Sequence, residues 1–207
     1  MPDGRPAVRP DVVRRYTARA VEYTAQLGTM AHVHPADEHL VRTWAADLDG
    51  PVLDAGCGPG HWTAHLTALG HQALGVDAVP AFVDHARSTH PGTPFDVGDL
   101  AQLSSPDGSL GGVLAWYSVI HHEPEDLPTV LGEFARVLRP GGELLVGFFT
   151  GTTLEPFDHA VTTAWRWPPA ALAEVLTAAG FDVLETHTRS VLGDRPRPHG
   201  ALLAQLR

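Results

Sequence analysis

Apolar residues recur at helical intervals in the N-terminal part of the chain. Val12, Val13, Tyr16, Ala20, Tyr23 and Leu27 fall three or four apart and share one face, which predicts a helix stopped by Gly28. A second amphipathic stretch follows Pro35, with Leu40, Val41, Trp44, Ala45 and Leu48 on one side, and breaks at Asp49-Gly50-Pro51. From there short apolar runs alternate with helical periods. Strands are expected over 52–55, 73–77, 94–97, 110–118 and 143–149. Helices are expected over 61–69 and 81–89, and through Leu127, Val130, Leu131, Phe134, Val137 and Leu138, where Arg139-Pro140-Gly141-Gly142 ends the period. Pro168-Pro169 opens a last helix with Leu172, Val175, Leu176 and Ala179 inward and Gly180 as its stop. Two strands, 181–188 and 201–206, close the chain around a loop from Gly193 to Gly200, and residues 1–10 read as a loose tail. The pattern predicts an α/β open sheet in one domain, with residues 1–50 as a helical lid and 51–207 as the core.

Composition narrows the classes of function. Of 207 residues, 24 are acidic and 14 basic, a net charge of −10, so the chain lacks the basic footprint of a nucleic-acid partner. One cysteine supports neither an internal disulfide nor a cysteine-based zinc site. No run approaches the apolar length of a membrane span, and the first thirty residues hold no leader-like apolar region. A soluble cytoplasmic protein is expected, its oligomeric state left open.

The densest chemical signal is Asp54-Ala55-Gly56-Cys57-Gly58-Pro59-Gly60, between a strand and a helix. Glycines at 56, 58 and 60 let the backbone turn sharply and approach a ligand. Asp77 follows Gly60 by 17 residues, at the end of the next strand, where a carboxylate can accept both hydroxyls of a ribose. The plainer reading is a tight turn with Asp77 as a helix cap. The G-x-G-x-G spacing departs from the G-x-G-x-x-G of dinucleotide sites, and Asp99, ending the third strand, can accept from an adenine amino group.

Four stretches together resemble the class I S-adenosylmethionine-dependent methyltransferases, of the type acting on small molecules. They are VLDAGCGPG at 52–60, GVDAVP at 75–80, VGDL at 97–100 and the span from SVIHH to VLRPGG over 118–142. The likeness runs over roughly residues 50–207. It implies a Rossmann-like seven-stranded sheet of order 3-2-1-4-5-7-6 with the last strand antiparallel, and S-adenosylmethionine as cofactor, leaving S-adenosylhomocysteine as product. It also implies roles: Gly56, Cys57, Gly58 and Gly60 under the methionine portion with Asp54 near its amino group, Asp77 on the ribose, and Ala78 beside the adenine. Asp99 and the Leu100 backbone read the adenine edge, Tyr117 and Ser118 face the methionine carbons, and Tyr16 and His121 close over the cofactor.

Methyl transfer is an in-line displacement, so the acceptor must sit beyond the sulfur, near the carboxyl ends of strands four and five. Tyr23, Met30, His32, His34, His122, His159, Trp165, Arg166 and Trp167 come from segments expected there. His122 and His159 are candidate general bases, although with 13 histidines in the chain any single one is a weak signal and the plainer reading of His122 is a solvated loop residue. Trp165-Arg166-Trp167 either packs a long loop or walls a pocket for a flat, apolar or aromatic acceptor, with Arg166 holding a carboxylate. Neither His32-Val33-His34 nor His121-His122-Glu123 has the i, i+4 spacing of a zinc helix, and Tyr117-Ser118 stands where metal-dependent relatives carry an aspartate, so a metal-independent reaction is expected. The fourth strand does not end in the N/D-P-P-Y/F pattern of enzymes methylating nucleobase or glutamine nitrogen, and no Pro-Cys nucleophile is present. A small metabolite methylated at O, N or C is the expected acceptor. The competing readings are a nicotinamide-dependent oxidoreductase, opposed by the glycine spacing and by a chain without lysine, and a non-catalytic cofactor-binding module.

Overall fold

A computed structural model describes residues 10–190 and 198–207. The expected tail, short of Pro10, and the loop from Gly193 through residue 197 lie outside them. Helices α1 (Pro10–Leu27) and α2 (Pro35–Ala46) come first, joined through a single 3₁₀ turn at Met30–His32. The core then runs β1 (Val52–Ala55), α3 (His61–Ala68), β2 (Ala73–Asp77), α4 (Pro80–Thr89), β3 (Phe95–Val97), β4 (Leu110–Trp116) and α5 (Leu127–Val137). It continues with β5 (Leu138–Thr150), β6 (Glu155–Asp158), β7 (Thr163–Trp167), α6 (Pro169–Ala178), β8 (Phe181–Arg189) and β9 (His199–Leu206).

The main sheet runs β3-β2-β1-β4-β5-β9-β8, parallel up to β5, with β9 antiparallel to both neighbours. Counted along the chain, these seven strands have the order 3-2-1-4-5-7-6. Both faces are covered, and the period of two sorts the side chains between them. Leu53, Ala55, Val113, Ala115, Leu144 and Val146 enter the core beneath α5 and α6. Val52, Leu114 and Leu145 meet Val41, Trp44, Trp62 and Leu66 of α2 and α3 on the other face. Helix α1 packs chiefly on α4, through Ala20 against Phe82 and Val79. Leu27, expected on its buried face, is 46% exposed.

Two differences from the expected pattern bear on the site. β4 stops at Trp116 because Tyr117 takes a left-handed backbone (φ 56°), a costly conformation for a side chain of this size. The hairpin β6–β7 has no counterpart in the expected pattern. It extends the sheet from the carboxyl end of β5 through Phe149↔Arg166 and Thr150↔Trp167, and Pro156, which cannot donate to a ladder, sits on its outer strand. Within β5, pairing with β4 jumps from Leu110↔Leu138 to Gly112↔Glu143, so the predicted Arg139–Gly142 turn survives as a bulge. No helix of the described residues is long and apolar enough to cross a membrane.

Gly111 on β4 lies under the connection from α2 to β1. A Cβ there falls 1.9 Å from the Asp49 carbonyl oxygen, a backbone atom that no rotamer change can move. Gly111→Ala is therefore expected to lower the free energy of unfolding by about 1–3 kcal/mol, measured as an earlier urea midpoint at unchanged slope.

Candidate functional site

The chain leaves β1 through three left-handed glycines, Gly56 (φ 79°), Gly58 (φ 51°) and Gly60 (φ 88°). The turn is held to β2 by Gly56 and Cys57 N–H groups, which donate to the Val76 carbonyl at 2.7 and 3.0 Å. A Cβ on Gly56 falls 2.2 Å from Cβ of Ser118, so glycine is what lets this loop meet the end of β4. At Gly58 the same construction meets nothing within 4 Å, so the middle of the loop faces open space. Cys57 turns into a small apolar cluster with Val83, Ala86 and Phe95, and burial raises its thiol pKa well above the ordinary value.

Two carboxylates stand at this turn. The buried Asp77 accepts the Gly58 N–H on one oxygen and the Val79 N–H on the other, both at 2.8 Å. Burial pushes its pKa up to about 6, against those two hydrogen bonds. Asp54 accepts the Thr63 hydroxyl at 2.6 Å, and burial, with Asp77 nearby, lifts its pKa to about 7. Ser118 Oγ beside them is buried with no hydrogen-bond partner among the described residues.

Helix α1 roofs the turn. Tyr16 and His121 Nε2 lie 2.7 Å apart, and His121 Nδ1 lies 2.7 Å from the Thr163 carbonyl of β7. A carbonyl only accepts, so Nδ1 carries hydrogen, and in the neutral ring Nε2 accepts from the Tyr16 hydroxyl. Burial drives the Tyr16 pKa far above its ordinary value, which keeps the donor protonated. The Tyr16 ring stacks edge-on against Phe82 and Tyr23, and Arg19 donates to the Ala160 carbonyl beyond β6.

Two adjoining cavities open beneath this roof. The smaller, about 100 Å³, lies between α1, the glycine loop and Asp77, and is bounded by Ala78, Leu100, Ser118 and His121. The larger, about 780 Å³, shares Tyr16, Tyr23, Gly56, Gly58 and Tyr117 with it and extends past Asp54 and Cys57 to the ends of β5, β8 and β9. Its volume is that of a small-molecule site, roughly 300–1,000 Å³. His159 lines it, its ring 5.4 Å from that of His121 and 5.7 Å from that of Phe149. His32 and His34, from the α1–α2 connection, line it as well.

Seven expected residues do not line either cavity. Gly60 caps α3 and is pressed against Ala86 and Phe95, supporting the loop from behind. Asp99 accepts the Ala101 N–H at 2.9 Å, holding the turn after β3, while its neighbour Leu100 reaches the smaller cavity. Met30 packs against the α2–α3 cluster. His122 is 2% exposed, neither ring nitrogen has a partner among the described residues, and desolvation pushes its pKa down. The expected tryptophan wall does not form. β7 docks beside β5, which sends Trp167 into the core under α6 and packs Trp165 on that core, while Arg166 lies over the Phe157 ring and pairs with Glu155.

Other residues form the wall instead. Trp116, Tyr117 and Phe149 come from the ends of β4 and β5, and His199 opens β9, where it pairs with Phe149 in register. The Tyr117 hydroxyl and His199 Nδ1 are hydrogen-bonded. The alternation of β9 carried two residues back from Ala201 puts His199 on the Ala201 face, a signal present in the sequence. The ion pair from Arg189 on β8 to Asp37 on α2 had no such signal. No group of three or more His, Cys, Asp or Glu among the described residues is arranged to hold a metal ion.

Comparison with known proteins relates the chain to a family model, to curated relatives and to solved structures. Residues 52–142 match the family model described as a methyltransferase domain. A probable S-adenosylmethionine-dependent methyltransferase of Mycolicibacterium smegmatis is 37% identical over 163 residues, 75% of this chain and 58% of that protein. Malonyl-acyl-carrier-protein O-methyltransferase of Yersinia pestis is 32% identical over 109 residues, 53% of this chain and 40% of that protein. The chain thus spans about half the length of the curated relatives it matches. Among solved structures, magnesium protoporphyrin IX methyltransferase from Synechocystis PCC 6803 superposes with a TM-score of 0.72 at 20% identity, over 95% of this chain and 98% of that one. At that identity the likeness is one of fold.

The buried carboxyls impose a pH dependence. Asp54 and Asp77 bind their protons more tightly folded, with pKa values of about 7 and about 6, than at the ordinary 3.8. The stability this contributes is full below the ordinary value and is lost as pH rises through about 6 to 7. In the ligand-free protein, Asp54→Asn is expected to flatten the fall in unfolding free energy between about pH 5 and pH 8. Urea titrations across that range measure it, and an unchanged slope would mean that Asp54 is not the titrating group.

Proposed function

We propose that this chain, whose core is a class I S-adenosylmethionine-dependent methyltransferase domain, is an enzyme that moves a methyl group from S-adenosylmethionine to a small-molecule acceptor. One observation carries the reading: a glycine cradle with an open centre, flanked by two buried carboxylates and roofed by a tyrosine, opens directly into a second, larger cavity.

The residues present fit the cofactor. Asp77 spends one lone pair of each oxygen on backbone N–H groups, leaving others for the two hydroxyls of a ribose. Ala78, Val79, Phe82 and Leu100 offer apolar surface for a purine. Asp54 suits an ammonium, and the unpaired Ser118 hydroxyl suits a further polar group of the amino-acid portion. When bound, S-adenosylmethionine supplies a methyl group on a positively charged sulfur, an activated electrophile that needs no metal.

This chain's residues then have three tasks. The loop and Asp77 fix the donor end, and the wall of Trp116, Tyr117 and Phe149 holds the acceptor in line with it, which is where most of the acceleration arises. Helices α1 and α2 act as a lid, excluding water through the Tyr16–His121 bond and the α1–α4 contact. His159, on the acceptor side, takes the proton when the nucleophile carries one. The reaction is read as metal-independent and the setting as cytoplasmic.

Calorimetric titration with S-adenosylmethionine and S-adenosylhomocysteine tests the reading, and a folded protein that binds neither overturns it. Asp77→Asn is expected to weaken S-adenosylhomocysteine binding by about 1.5–3 kcal/mol, the worth of a hydrogen bond to a charged group, with a cooperative thermal transition kept but moved down, because the amide NH2 cannot accept the Gly58 or Val79 N–H it faces. Ala20→Arg forces a long charged side chain into the α1–α4 contact, where Ala20 is 8% exposed. It is expected to weaken the same ligand by at least about tenfold while the urea midpoint of the sheet moves little. Equal losses in both would make α1 a structural helix rather than a lid.

A further inference from the structure

The far end of the large cavity carries an ion pair, Arg189 with Asp37, that the methyl-transfer reading leaves unused. Arg189 closes β8 and reaches the cavity beside Tyr117 and His199. It is the one guanidinium among the described residues lining that space, in a chain without lysine. Its Nη2 donates to Asp37 Oδ2 of α2 at 2.9 Å, and the two side chains are only 24% and 20% exposed. The atoms Nε and Nη1 are buried and have no partner among the described residues. A guanidinium has five N–H donors, and leaving several of them dry and unpaired is costly.

Burying an ion pair of this kind rarely repays its desolvation. A contact that only tied α2 to β8 would need no donors to spare. Arg166, the arginine expected to receive a carboxylate, is committed to Glu155 and to the Phe157 ring outside the cavity. Arg189 lines the cavity, and two of its nitrogens, buried as they stand, are unspent. Asp37 meets one edge of the guanidinium, orienting the rest of it.

We infer that the methyl acceptor carries a carboxylate, and that Arg189 is the residue that holds it; the inference rests on the methyltransferase reading above. A carboxylate brings two acceptor oxygens and a full negative charge to the unsatisfied donors, forming charge-assisted bonds of about twice the strength of neutral ones. The wall of Trp116, Tyr117 and Phe149 then packs against the apolar body of the same molecule.

The test uses the full chain saturated with S-adenosylhomocysteine and titrated calorimetrically with benzoate, phenylacetate and hexanoate, each against its own amide. At least one acid is expected to bind about tenfold or more tightly than its amide, and Arg189→Gln is expected to erase that preference without changing S-adenosylhomocysteine affinity. Because Arg189→Gln leaves Asp37 buried without its cation, Asp37→Asn/Arg189→Gln is measured beside it as the charge-balanced form. Acids and amides that bind alike, no acid binding at all, or an acid preference that survives both variants overturns the inference. A wild-type protein that fails to bind S-adenosylhomocysteine overturns the methyltransferase reading instead, and the acid–amide comparison on that protein still reads Arg189 as an anion site.

Discussion

The carboxylate of Asp77 is the joint on which the site turns. It ends β2, yet one oxygen holds Gly58 of the loop after β1 and the other holds Val79 at the start of α4. Two adjacent β–α connections are thereby fixed relative to each other by one side chain. The cost is a buried charge, seen in the raised pKa of the group. Because Phe82 and Val79 are the surface on which α1 rests, the position of the roof follows from the same joint. Cradle, the apolar surface of Val79 and Phe82, and roof therefore share a single mechanical reference.

The roof has a second attachment that couples it to the least predictable part of the fold. Tyr16 on α1 bonds His121 after β4, and His121 bonds Thr163 at the start of β7. The tautomer of one histidine is set by a strand and read by a helix. Arg19 adds a contact to Ala160 in the same hairpin. The hairpin β6–β7 thus serves the site through its backbone, while its tryptophans serve the core.

That division explains what was legible in the sequence. Helix α5 and the strand–glycine–helix unit at 52–68 are local patterns, in which period, caps and glycines agree, and they form where expected. Tyr16, Asp54, Asp77 and His121, named through the family resemblance and the ends of such patterns, line the two cavities. Trp165 and Trp167 could not be placed, since the sense in which they face depends on which strand β7 pairs with, and Pro156 and the long approach from Thr150 conceal the hairpin. Tyr117 illustrates the same limit. Nothing in Trp116-Tyr117-Ser118 announces a left-handed residue, yet that conformation is what ends β4 and brings Ser118 against Gly56.

The electrostatics of the cavity have a direction that the net charge of −10 hides. Asp54 and Asp77 lie at the tips of β1 and β2, and Arg189 lies at the tip of β8, across the width of the sheet. Between them stand the rings of Trp116, Tyr117 and Phe149, which hold no formal charge. A positively charged ligand at the acidic end favours the ionised carboxyls, so its binding drives off the protons that burial retains there. Once both are ionised, that end attracts a cation, while at the opposite end Arg189, one edge of it met by Asp37, has only its remaining N–H groups for an anion. The low-dielectric wall between them lets the two bound molecules attract each other more strongly than they would in water. A cationic methyl donor and a carboxylate-bearing acceptor would then be drawn together along the line of transfer, so the charge asymmetry that binds each partner also aligns the pair.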